Sequence, residues 1–127
     1  MNQPPAIKDD DNLRVEEYIK VWNWDEASHE FAVQMGIFLL EFIDSLHTSG
    51  VSPKTFRKHK GNCWLIGSFE CDYGHHGTFT PAVFLDGPGF VYEFKHKVSD
   101  SKYAIASYKS TWRKIEKLVR ALAPEST

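Results

Sequence analysis

From Phe31 onward, apolar residues recur at steps of three and four: Phe31, Met35, Phe38, Leu39, Phe42, Ile43, Leu46. A helix turns once every ~3.6 residues, so this spacing makes one broad apolar face. Asp25 or Ser28 can cap its start, Glu26 and Glu30 suit the positive end of the helix dipole, and Gly50 supplies a left-handed stop. A helix over about 26–48 is predicted as the central packing element. Ser52-Pro53 is a cap followed by a first-turn proline, and opens a second helix over about 53–72. Phe56, His59, Cys63 and Ile66 share one face of it, while Lys54, Arg57 and Lys58 lie on the other. Gly61 and Gly67 should weaken this helix by about 1 kcal/mol each. Only three residues separate the two helices, which predicts a tight antiparallel pair. Ile105, Tyr108, Trp112, Ile115, Val119 and Leu122 mark a third helix over about 102–122, capped by Ser99 or Ser101 and stopped by Pro124.

The remaining segments are less uniform. Leu13 to Trp22 reads as a short helix, although Tyr-Ile-Lys-Val-Trp is also good strand material. Around 80–96, Thr80-Pro81 can start a short helix over 81–86; alternatively, 82–85 and 90–94 pair as a hairpin across Asp86-Gly-Pro-Gly89. Phe90, Tyr92 and Phe94 alternate with Val91, Glu93 and Lys95, so 90–96 is predicted as a strand. Residues 1–12, with Pro4-Pro5 and the Asp9–Asp11 triplet, read as a flexible tail, and 13–123 as a single globular domain. The expected fold is therefore mainly α: an antiparallel helix pair, a C-terminal helix and a minor β element near 90–96. Trp112, Phe38, Phe42 and Phe56 are expected at its centre.

Composition changes this picture little. Nine Phe, five Tyr and four Trp in 127 residues are ample for one core, which argues against general disorder. No run approaches the ~20 apolar residues of a membrane span, and the polar, acidic start lacks the basic-then-apolar order of a secretory signal. A cytoplasmic protein with no membrane partner is expected, with Cys63 and Cys71 as thiols.

Charge changes it more. Residues 1–50 hold ten acids and three bases; residues 51–127 hold seven acids and twelve bases. That asymmetry permits a basic face on a chain of net charge −2. The helix start at Ser52 offers Lys54, Thr55, Arg57 and Lys58. The last helix offers Lys102, Lys109, Arg113, Lys117 and Arg120 on one side. Together these residue types suit phosphate contacts, provided the two helices lie side by side. The plainer alternative is that both stripes are solvated faces whose aliphatic stems lie over the core.

The segment from Phe38 to Phe69, with its Gly50-Val-Ser-Pro-Lys-Thr55 turn, resembles the SAM-like N-terminal core-binding domain of tyrosine recombinases, in which two helices and such a turn clasp DNA. Val51 to Gly67 also resembles the DNA-reading helix of LuxR-type regulators. By position, the resemblance implies that Lys54, Thr55, Arg57 and Lys58 face DNA backbone. It does not extend to recombinase chemistry, because no His here is followed three residues later by Arg and there is no room for a catalytic domain. Over most of residues 35–122 the chain also resembles a family of small uncharacterised bacterial proteins. The shared features are the Ser-Pro-Lys-Thr-x-Arg-Lys-His start, the Trp64-Leu-Ile-Gly continuation and the Ser107-Tyr-Lys-Ser-Thr-Trp-Arg-Lys helix. That resemblance implies a fold and no activity.

Other chemistries find weaker footing. Cys63, Cys71, His75 and His76 lie within 14 residues, but zinc signatures use close pairs such as C-x2-C. Cys71, His75 and His76 remain the metal candidates, and no cofactor is expected. No Gly-x-Ser-x-Gly, His-Glu-x-x-His or P-loop occurs, and His59 falls on an apolar face, where a hydrogen-bonded core role is expected. The reading leans away from an enzyme, and two classes of function follow. One is an accessory protein touching nucleic-acid backbone. The other is a protein–protein module using the acidic N-terminal half or an exposed aromatic patch of Trp22, Trp24, Tyr73 and Phe79.

Overall fold

The computed structural model describes residues 14–74 and 77–122. Within these residues the regular structure is five α-helices and one 3-10 turn. Helix α1 covers residues 14–19, α2 His29–Ser49, α3 Pro53–Tyr73, α4 Val91–Lys97 and α5 Lys102–Leu122, with the 3-10 turn at Pro81–Phe84 between α3 and α4. The tail expected over 1–12 lies outside the described residues.

The three long helices are placed where the periodicity puts them, and their caps use the expected residues. Gly50 takes φ 86° and returns its N–H to the His47 carbonyl. Ser52 Oγ accepts the Thr55 N–H at 3.1 Å ahead of Pro53, and Ser101 Oγ accepts the Ala104 N–H at 3.0 Å. Helix α2 begins at His29 rather than 26, because Asp25 and Ser28 close a turn on each other before it.

α2 and α3 are joined by three residues and pack together, and α5 lies across α3. Its direction follows from two pairings. His59 meets Thr111 while Asn62 meets Ser107, so numbering rises along α3 as it falls along α5, and the two are antiparallel. The core between them holds Phe38, Phe42, Ile66, Phe69, Tyr108, Trp112 and Ile115. Phe56 does not join it: the residue is half-buried at the rim, against the His47 ring at 5.5 Å. It shares α3's apolar face with His59, but α5 covers the other flank of that face.

α1 is attached by tryptophans. The last carbonyls of a helix lack intrahelical partners; here Trp64 Nε1 donates to the Tyr18 carbonyl at 3.1 Å and Trp24 Nε1 to that of Ile19 at 2.8 Å. Trp22, 3% exposed, rests where α3 carries Gly67, and a Cβ at that position would overlap its indole. Gly67 is thus a close-approach residue rather than a mere weakness in the helix.

The segment expected as a strand is helix α4, and no strand occurs among the described residues. The physical reason is that periods of two and of about four share positions i and i+4. Phe90 and Phe94 fit both, and both pack inward, Phe90 on Phe69 at 5.9 Å and Phe94 on Tyr108 at 4.6 Å. Tyr92, the residue that separates the two periods, is 69% exposed. Of the alternatives for 81–86, the short helix is the nearer: a 3-10 turn capped by Thr80, whose Oγ1 accepts the Ala82 N–H. Two side chains of α5 anchor this connection, Trp112 Nε1 donating to the Phe84 carbonyl at 2.9 Å and Tyr108 to that of Gly89 at 2.8 Å. Within the described residues, no helix is long and apolar enough to cross a membrane.

Candidate nucleic-acid interface

Whether the two basic stripes can act together depends on the α3–α5 seam. That seam is closed by a buried polar cluster. His59, 1% exposed, places Nδ1 2.6 Å from Thr111 Oγ1. Asn62 Nδ2 donates to Thr111 Oγ1 at 2.9 Å and to Ser107 Oγ at 3.0 Å, and Thr111 Oγ1 lies 3.2 Å from the Ser107 carbonyl. Buried polar groups persist only when paired, and these pairs fix the register of α5 on α3. The imidazole is neutral at physiological pH. Burial depresses its pKa to about 4, and the nearby ammonium groups of Lys58 and Lys114 push it the same way. His59 is therefore the hydrogen-bonded core residue expected from its position, not a solvent-facing base.

The same imidazole locates the charges. His59 Nδ1 meets Thr111 Oγ1, so Lys58, next to His59 on α3, and Lys114, three residues beyond Thr111 on α5, both border the seam. The basic start of α3 is thus brought beside the middle of α5. Lys54 and Arg57 point outward from α3, and Thr55 is half-buried, its Oγ1 accepting from Ser52 Oγ at 3.0 Å. On α5, Arg113 and Arg120 are exposed and Lys109 is half-buried; Lys109 stands two residues, about 200°, from both Ser107 and Thr111, so it points away from α3. Lys117, with Lys114, borders a shallow groove against Phe42, Ser45, Leu46 and Ser49 of α2. Arg120 is tied to Glu116 by a 2.7 Å ion pair, which lowers its availability. Lys114 is missing from the stripe read off the sequence, because it lies on the flank of the helix rather than at its outer pole. A helical wheel with α3 placed on the Thr111 side would have found it.

Acids do little to cancel this face. No Asp or Glu lies between Asp44 and Glu70, and α5 contains one acid, Glu116, against six bases. Glu70 is 16 residues beyond Lys54, about 24 Å along the helix, which is well past the ~8 Å screening length at physiological salt. Asp44, on α2, is held by both guanidinium nitrogens of Arg14 at 2.8 and 3.0 Å, which lowers its pKa.

The rival features disperse. Trp22 is buried, and Trp24, Tyr73 and Phe79 are half-buried, Phe79 against Phe31 at 5.6 Å and Phe38 at 6.0 Å. The expected exposed aromatic patch is not formed, because these rings close the core around α1 and the 3-10 turn. Cys63 is wholly buried and its thiol is pushed far up by desolvation; Cys71 is pushed up to about 12 by burial and by the carboxylates of Asp72 and Glu70. A metal ligand must be a thiolate, which both environments oppose. No group of three or more His, Cys, Asp or Glu side chains converges among the described residues, and His75 and His76 lie outside them.

No protein-family model matches the chain, and no curated protein or solved structure is significantly similar to it.

Proposed function

We propose that this protein is a non-enzymatic accessory protein that contacts nucleic-acid backbone through the combined basic face of α3 and α5. The observation that carries the reading is the 2.6 Å contact between His59 and Thr111, which sets the basic start of α3 against the middle of α5. In this reading Lys58 and Lys114 flank the seam, and Lys54, Arg57, Arg113 and Lys117 are exposed on the outer sides of the two helices, whereas Lys109, half-buried and two residues from both Ser107 and Thr111, points away from α3 and contributes least. Thr55 and the capped start of α3 sit at its edge, and Arg120 contributes less because of Glu116. The local resemblance of residues 38–69 to the DNA-clasping domain of tyrosine recombinases supports the same reading of Lys54 to Lys58.

Cations on such a face release counterions when they meet phosphates, so affinity falls steeply with salt. Fluorescence anisotropy of labelled oligonucleotides across a salt series tests this. Lys54→Ala with Arg57→Ala should weaken binding and reduce the slope of log K against log salt by nearly two, at ~0.9 per lost duplex phosphate contact. Unchanged affinity and slope in that variant would reject the site.

A further inference from the structure

We infer that the polymer this face takes is a single strand, with Tyr103 serving as a stacking platform for an unpaired base; this rests on the backbone-binding reading above. Tyr103 is 71% exposed, the most exposed of the large hydrophobic side chains among the described residues. Among the described residues its ring meets no other aromatic ring, in contrast to Tyr108 in the core. Its position on α5 is the informative part. Tyr103, Ser107, Ser110, Lys114 and Lys117 follow one another by four, three, four and three residues, which places them in one row along the helix.

The row is located by its partners. Ser107 accepts the Asn62 amide from α3, Lys114 acts on His59 of α3, and Lys117 borders the α2 groove. Its middle, at Ser107, therefore lies at the α3–α5 seam, and its Lys117 end lies by α2. From Tyr103 to Lys117 is 14 residues, about 21 Å. A stacked strand advances ~3.4 Å along its axis per nucleotide and an extended one further, so the row matches at most about six nucleotides. The cations stand at one end, hydroxyls in the middle and an aromatic face at the other.

A duplex would use the cations, but its bases are already stacked on each other and offer no free face. A single strand has free faces, and base–aromatic stacking is sequence-tolerant. An acidic polypeptide would also use the cations and would have no use for Tyr103.

The test compares labelled oligo-dT and oligo-U of about 12 nucleotides, a duplex of equal length, and an abasic strand of equal length, all at low salt. Wild-type protein should bind oligo-dT or oligo-U more tightly than the duplex. Tyr103→Ala should weaken single-strand binding at least about fivefold while leaving duplex affinity, abasic-strand affinity and the salt slope unchanged. Tyr103→Phe should retain wild-type binding. Because Tyr103 is exposed, the variants should match wild type in circular dichroism and melting. If wild type binds duplex and single strand equally and Tyr103→Ala has no effect, the stacking inference fails while the basic face stands. If wild type binds no oligonucleotide, the basic-face reading fails and takes this one with it. Competition by polyglutamate as effective as by oligo-dT would assign the face to an acidic polypeptide and overturn the inference.

Discussion

Replacing Thr111 with valine keeps the shape of the side chain and removes one hydroxyl. That hydroxyl stands 2.6 Å from His59 Nδ1, 2.9 Å from Asn62 Nδ2 and 3.2 Å from the Ser107 carbonyl, in a place with no exposure of its own. Valine leaves the His59 nitrogen without this partner and Asn62 with only Ser107 Oγ. A buried polar atom left unsatisfied costs about 1–3 kcal/mol, so Thr111→Val should destabilise by about 3 kcal/mol although no volume is lost. Thr111→Ser makes the opposite trade. It keeps the hydroxyl and removes one methyl, which should cost ~1 kcal/mol. Urea denaturation of the three proteins at pH 7.5, with m-values compared to confirm the same two-state transition, reads both numbers. The order wild type, Ser, Val is required. A valine variant within 1 kcal/mol of wild type, or more stable than the serine variant, would mean that the cluster does not hold α5 on α3 (thresholds of about the error in such a measurement).

Two further predictions concern the same region. His59 is depressed to about 4, below its unfolded value of ~6.5, so between those values the unfolded chain binds more protons. Stability should therefore be complete above pH ~6.5 and fall by up to about 3 kcal/mol as pH drops toward 4, which urea midpoints at pH 7 and pH 4.5 would detect; a flat profile would contradict a buried neutral imidazole. Gly61→Ala and Gly67→Ala should have opposite signs. Gly61 has open space around its Cβ position, and alanine there should stabilise by up to ~1 kcal/mol, whereas at Gly67 the Trp22 indole occupies the space and overpacking of about 1–3 kcal/mol should outweigh the propensity gain. Melting temperatures that rise for both would show that Trp22 moves aside freely.

The long helices were legible because each carries several apolar residues in phase and a cap of recognisable chemistry: Gly50, Ser52 with Pro53, Ser101. What was not legible was anything decided by a neighbour distant in sequence. Phe90 to Phe94 satisfied two periods at once, and only the aromatic side chains of Phe69 and Tyr108, on other helices, select the helix. Phe56 fits the apolar face of α3, and only the placement of α5 moves it to the rim. Trp22 and Trp24 look like surface aromatics until α1 is docked, where the Trp22 ring packs on Gly67 and the Trp24 N–H reaches the Ile19 carbonyl. The basic residues themselves were readable one by one. That the start of α3 lies beside the middle of α5 was not, since it follows from His59 pairing with Thr111, 52 residues away. Only that pairing puts the α3 side of α5, where Lys114 follows Thr111 by three residues, at the seam.

The claim that α3 and α5 present one face is tested most directly by the salt slope of oligonucleotide binding in variants of each helix alone and of both. Lys54→Ala with Arg57→Ala and Arg113→Ala with Lys117→Ala should each lower the slope by nearly two on duplex, or about 1.4 on a single strand, and the four substitutions together by twice that. A slope that responds to one helix only, or wild-type protein that binds no oligonucleotide at low salt, would contradict the account.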